Sequence, residues 1–536
     1  MKYLLFLFLL SISVVSNAQA KIDVLHYKFN INLNDNNDSI YGRAEVVFIA
    51  RKGSTGIEFD LSGGAGNNKD MIVTKANLPY GTAYGNSETG NIYTHYNNKL
   101  YIKTWKELAD DDTLMATIDY KGVPADGLII SRSRFGKRTF FSDNWPNRAH
   151  KWIPCNDDPS DKASVEFIVT APSHYEVVSN GILQEERELP GNRKLTHWKE
   201  DVPLPTKIMV IGVADFAIDS VGTVDNIPVT SWVFPENKTD GFRDYAKAKE
   251  VLAWLIHYIG PFPFEKLANI QSKTIFGGME NAGAIFYNED YIATGQMDER
   301  LIAHEISHQW FGDMVTEKNF SHLWLSEGFA SYLPNIYLES KYGAERVSKE
   351  MKDDRLQVIE FAKTSDHPVV DTVSSYMQLL NANSYQKGGW ALHMLRRELG
   401  DSLFHASIRN FYSTYAGKNA DTRDFQKICE QTSGKNLGVF FQQWLYTPGL
   451  PELDIRWEYN AKNKSVSLIV NQLQKNIFQF PLEIMLKTAS GKTHLETLSV
   501  KKQNQEFIIP FSEKVTEIQA DPNTFLLFEG TVSRIK

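Results

Sequence analysis

Only two cysteines occur in 536 residues, Cys155 and Cys429, far apart and read as lying in different domains, which argues against a disulfide framework. A net charge of -8, with no basic run to offset it, argues against an electrostatic nucleic-acid binder. After the first twenty residues no apolar run approaches the length of a membrane-spanning helix, and no integral membrane segment is expected in the mature chain. Internal repeats and low-complexity segments are also missing. What is present is an ordinary globular composition on a chain too long for one core, for which about three domains is the natural expectation. Oligomeric state leaves no signature.

The N-terminus pairs Lys2 with an apolar run, Tyr3 to Leu10, and then small residues ending SNAQA. That pattern predicts a secretory signal peptide over residues 1–20, cut after Ala18 or Ala20, and an exported protein, periplasmic or secreted. Residues 21–234 alternate apolar and polar positions in short runs and predict an all-β domain. Within them Phe140 to Ala163 packs three prolines, two tryptophans and four aspartates into one segment, read equally well as a pocket wall or a domain junction. Over residues 235–450 the period turns helical, interrupted by short strands around GGMEN, Gly277 to Asn281. Pro448, Gly449 and Pro451 mark a boundary, and residues 451–536 predict a small β sandwich.

The chemistry centres on LIAHEISHQWFGD, Leu301 to Asp313. His304 and His308 stand four apart, so on a helix both rings reach one metal ion, with Glu305 beside it as general base. Asp298 can cap this helix and Gly312 can end it. A catalytic zinc takes three protein ligands and keeps a fourth position for water. Glu327 follows His308 after eighteen intervening residues, on a second helical stretch where Pro334 predicts a kink or restart.

HEISHQWFGD, WLSEGFASY, GGMEN and SYQKGG, in this order around one HExxH, closely resemble the aminopeptidase N family of gluzincin zinc metallopeptidases, and IPCNDDP and PFPFEKL extend the likeness. The resemblance implies a multidomain α+β fold: a saddle-like all-β domain, a thermolysin-like α/β catalytic domain and a β sandwich. It implies one zinc per chain on His304, His308 and Glu327, with Glu305 activating water and Tyr385 stabilising the oxyanion. Glu280 would bind the α-amine of a peptide with a free N-terminus, and the backbone of Gly277, Gly278 and Met279, with Asn281, would carry the peptide as an added strand. The family usually has alanine where Gly278 stands, a change read as mild. An ungapped match sets Asp143 and Trp145 where the family often carries amine-binding residues, so Asp143 is a further candidate beside the amine. Many members add a large helical C-terminal domain; this chain ends at Lys536, and an open cleft with weak discrimination by peptide length is expected. The function implied is a zinc-dependent aminopeptidase. The alternatives are a thermolysin-like endopeptidase, against which Glu280 speaks, an epoxide-hydrolase-like relative, and a catalytically inactive peptide-binding protein on the same fold.

Overall fold

In the strand Asp23–Asn32, Tyr27, Phe29 and Ile31 point inward while their neighbours are partly exposed, the two-residue period of a half-buried sheet. The computed structural model describes residues 22–50, 54–63, 69–78, 93–104, 107–109, 112–291 and 298–535; the expected signal peptide lies outside them. This strand is the middle of a seven-stranded sheet, paired in parallel with Ala163–Pro172 and antiparallel with Ile40–Ile49. A four-stranded and a three-stranded sheet complete the N-terminal β region.

The central region is built on a five-stranded sheet. Its order is Ala217–Val224, Ile227–Val233, Leu267–Ser272, Ala284–Asn288 and Gly278–Met279. The sequence pattern groups the first two strands with the N-terminal β region, but Ile227–Val233 pairs in parallel with Leu267–Ser272, so the change of sheet comes before residue 217 and not at 234. Local periodicity shows a strand and not its partner. The last strand, Gly278–Met279, is antiparallel to Ala284–Asn288 and forms one edge of this sheet.

Helix Glu299–His308 packs beside that edge, and helix Trp324–Tyr342 packs against this helix. The second runs unbroken through Pro334, so the helix does not restart there. A proline inside a helix costs about 3 kcal/mol, but every residue from Trp324 to Leu338 is buried, and that packing holds the helix together. The first ends at His308, before Gly312.

The C-terminal strands form a four-stranded and a three-stranded sheet. They are tied to the helical region by Arg355, which donates to the carbonyl of Leu526 at 2.7 Å, and by His393, which bridges Tyr332 Oη and the carbonyl of Thr524, both at 2.9 Å. Both cysteines are buried free thiols. Among the described residues no helix is long and apolar enough to cross a membrane.

Candidate metal and peptide-binding site

Asp298 caps the helix Glu299–His308, its carboxylate accepting from the amide of Arg300 at 2.9 Å. His304 and His308 therefore stand one turn apart, their rings edge-on, with Nε2 atoms 3.1 Å from each other. Glu327, in the first turn of the next helix, brings Oε2 to 3.5 Å from His304 Nε2 and 3.4 Å from His308 Nε2. Ligand atoms about 2.0–2.1 Å from a tetrahedral zinc lie roughly 3.3 Å apart, so this triangle fits one such ion. Two further observations agree with that fit. The Nδ1 of His308 is engaged by the carbonyl of Phe311, 3.2 Å away, and by Ser326 Oγ at 3.0 Å, so Nε2 is the nitrogen turned to the other two ligand atoms. Glu327 Oε2 is buried without a hydrogen-bond partner.

The electrostatics also call for a cation. Burial would lower the His308 imidazole, yet Glu280 and Glu327 around it raise it to about 10. Burial opposes ionisation of Glu327, but the two histidines hold it well below the usual carboxylate range. At His304 burial wins and lowers the imidazole.

These residues line a cleft of about 390 Å³ whose wall also includes Trp145, Phe276, Gly277, Gly278, Met279, Glu280, Glu305 and Tyr385. Glu305 lies between the two histidines on the helix, and burial pushes its carboxyl well above the usual range while His308 pulls the other way. Gly278 lies directly against the general-base candidate: a Cβ at this position would fall 2.1 Å from Glu305 Oε1, so an alanine here is accommodated only with a shift of that flexible side chain. Glu280 is only 5% exposed, and its Oε1 has no hydrogen-bond partner. The nearby cation Lys207 is committed to Glu317 in a buried pair at 2.5 Å.

Tyr385 sits in a π-helical turn, Asn383–Lys387, that runs into the helix Gly388–Leu399. Its ring lies 6.1 Å from that of His304 and nearly parallel to it. Burial, followed by Glu327, Glu280 and Glu305, pushes the phenol well above its ordinary range, so its hydroxyl remains a donor. The approach of the two helices depends on missing side chains, because a Cβ on Gly328 would stand 2.9 Å from the carbonyl carbon of Gly388. The glycines of SEGF and QKGG thus let Glu327 and Tyr385 share one cleft.

Two expected residues stand elsewhere. Asn281 is fully buried and is not part of the cleft wall. Asp143 does not face the amine site: its Oδ1 accepts from Arg148 at 2.6 Å, and its Oδ2 from Thr274 Oγ1 and the amide of Ile275 at 3.1 and 3.0 Å. It pins the segment leading into GGMEN. Trp145, two residues on, is the one that reaches the cleft, edge-on to Phe276 and Phe320. Trp152 instead stacks on Phe167 of the β region, so the segment is both wall and junction. Arg300, passed over in the sequence, also lines the cleft, with its guanidinium given to Asp354 at 2.6 Å and Glu350 at 3.1 Å. Its position one turn before His304 was the available signal.

A mixed α/β peptidase domain behind a β-rich one is the class this architecture defines. Residues 23–208 match the Peptidase M1 N-terminal domain and residues 243–444 the Peptidase family M1 domain, and the chain belongs to that family, the aminopeptidase N family. It is 31% identical over 324 residues to "Probable aminopeptidase 2" of Sulfurisphaera tokodaii, a match covering 56% of this chain and 40% of that protein. With the Bos taurus "Glutamyl aminopeptidase" it shares 31% identity over 342 residues, 60% of this chain and 35% of the relative. The chain thus spans less than half the length of these relatives. The crystal structure of Legionella pneumophila aminopeptidase A in complex with aspartic acid superposes with a TM-score of 0.80 at 17% identity, covering 96% of this chain and 61% of that one. It shares the fold.

Proposed function

We propose that the protein is a zinc-dependent aminopeptidase that removes the N-terminal residue from peptides with a free α-amine. The observation that carries this reading is Glu280, a buried carboxylate with an unpartnered oxygen in the same cleft as the His304, His308 and Glu327 triangle. A buried carboxylate oxygen without a donor asks for one, and a peptide's N-terminal ammonium supplies it.

His304, His308 and Glu327 would hold the zinc, which supplies Lewis-acid chemistry by lowering the pKa of a coordinated water and polarising the scissile carbonyl. Glu280 anchors the ammonium, and the edge strand Gly278–Met279 offers its free side to the substrate main chain. Glu305 takes a proton from the attacking water and delivers it to the leaving amine. Tyr385 donates its O–H to the oxygen on which charge develops. The presence of Glu305 and Tyr385 together in the cleft speaks against an inactive peptide-binding protein.

The test is hydrolysis of leucine 4-nitroanilide beside its N-acetyl form, before and after chelation and zinc re-addition. Cleavage of the free-amine form alone, lost on chelation and restored by about one zinc per chain, is expected. His304→Ala should lose metal and activity together, whereas Glu305→Gln keeps the metal and loses roughly 100-fold or more in kcat. Rapid internal cleavage of N-blocked peptides would overturn the reading in favour of an endopeptidase.

A further inference from the structure

Gln309 directly follows the histidine at the end of the HExxH helix and is completely buried. Its carboxamide uses both N–H donors and one acceptor site of its oxygen. The Nε2 group donates to the carbonyl of Glu280 at 2.7 Å and to Asp313 Oδ2 at 3.0 Å, while Oε1 accepts from the amide of Gly283 at 2.8 Å. Glu280 and Gly283 flank the bend between the edge strand Gly278–Met279 and its neighbour Ala284–Asn288. One side chain therefore grips both sides of that bend, and it grows from the residue adjoining His308.

The consequence is a short, hydrogen-bonded link between two parts of the cleft that come from separate elements. At one end is the backbone from which the Glu280 carboxylate projects. At the other is the helix bearing His304 and His308. Among the described residues, the contacts of the Glu280 side chain leave its Oε1 unpartnered. Its position is thus set largely by its own main chain, whose carbonyl Gln309 holds. Asp313 in turn fixes the carboxamide, and its own amide donates to the carbonyl of His308 at 3.1 Å, closing the linkage back onto the helix.

We infer that Gln309 is a positioning residue that sets the span between the amine anchor Glu280 and the His304, His308 and Glu327 cluster, and so sets selectivity for a free N-terminus. This rests on the aminopeptidase reading of the cleft. A peptide bound by its ammonium at Glu280 presents its first carbonyl to the cluster only if that span matches one amino-acid residue. A displacement of about 1 Å degrades such alignment severely. A buried glutamine that merely completed a loop would affect all ligands of the cleft alike, whereas Gln309 governs the ones that use both ends.

The experiment compares the zinc-loaded wild type with Gln309→Met, which keeps the size and loses all three hydrogen bonds, and Gln309→Asn, shorter by about 1.5 Å. Calorimetry measures the affinity of leucine hydroxamate and of its des-amino counterpart, 4-methylpentanohydroxamate. Both carry the same metal-binding head, and only the first has the amine. Each Kd is independent of the fraction of protein that is folded, so a poorly folding variant still reports.

We expect the wild type to prefer the amine-bearing probe, and that preference to fall about tenfold or more in both variants, the scale of a lost charge-assisted contact. Affinity for the des-amino probe should change less than about threefold. Equal weakening of both probes, or an unchanged preference, would overturn the role given to Gln309. A wild type that binds the two probes equally well would remove the amine anchor itself, and the inference with it.

Discussion

Gly278 and Glu305 compete for one volume: a Cβ at residue 278 would lie 2.1 Å from Glu305 Oε1 and 2.6 Å from its Cγ. The side chain proposed as general base therefore rests against the bare backbone of residue 278.

Gly278→Ala should accordingly force the Glu305 carboxylate away from its position. We expect kcat to fall by about tenfold or more, a part of the roughly 100-fold to 10,000-fold that a general base contributes. Zinc content should not change, since no ligand is touched. Steady-state kinetics with metal analysis checks this, and an unaltered kcat would mean that Glu305 rotates freely.

The Gly328 and Gly388 contact separates packing from chemistry. Tyr385→Phe removes one donor and should lower kcat about 100-fold to 1,000-fold with KM little changed. Gly328→Ala drives a methyl into the backbone of residue 388; it should cost about 1–3 kcal/mol of stability and lower kcat as well. Thermal unfolding distinguishes them, because only the glycine variant should melt earlier.

Asp143 offers a test of position against role. As a pin between Arg148 and the Thr274 segment it is buried and fully paired. Breaking such a pair costs about 3–5 kcal/mol. Asp143→Asn should therefore lower the melting temperature. Were Asp143 an amine ligand, the same change would raise KM and leave the melting temperature alone.

His393 makes stability depend on pH. Burial pushes its imidazole from 6.5 down to about 4. Its two contacts need the neutral ring, Nδ1 accepting from Tyr332 Oη and Nε2–H donating to the carbonyl of Thr524. Between pH 6.5 and 4 the unfolded chain binds a proton that the folded one does not, so stability falls as pH falls through that window and levels off below it. The loss is at most about 3 kcal/mol. His393→Gln keeps an acceptor and a donor without a proton to bind; the difference in melting temperature between wild type and variant should shift across that window and be flat above pH 7.

Which of these features a reader could find in the chain follows from their range. His304, Glu305 and His308 lie within one helical turn or so, and the helix period alone brings them to one face. The all-β, mixed and final all-strand regions announce themselves through alternation and periodicity, so the fold class was legible. Long-range facts were not. The sheet membership of Ala217–Val233 is decided by Leu267–Ser272, more than thirty residues later. The continuity of the helix through Pro334 depends on what surrounds it. The role of Asp143 depends on Thr274 and Ile275, and the contact of Gly278 with the general-base candidate depends on where Glu305 points. None of these neighbours is near in sequence.

The edge position of Gly278–Met279 carries one more consequence. On the proposed function, a peptide laid along that edge would be recognised by its own amides and carbonyls, groups that nearly every residue provides alike, so varied sequence beyond the first position should be tolerated. Proline is the exception, having no amide hydrogen to offer. Peptides with proline in second place should pass through uncut, accumulate as the terminal remnants of digestion, and mark this protein's action in any mixture of fragments it has worked on.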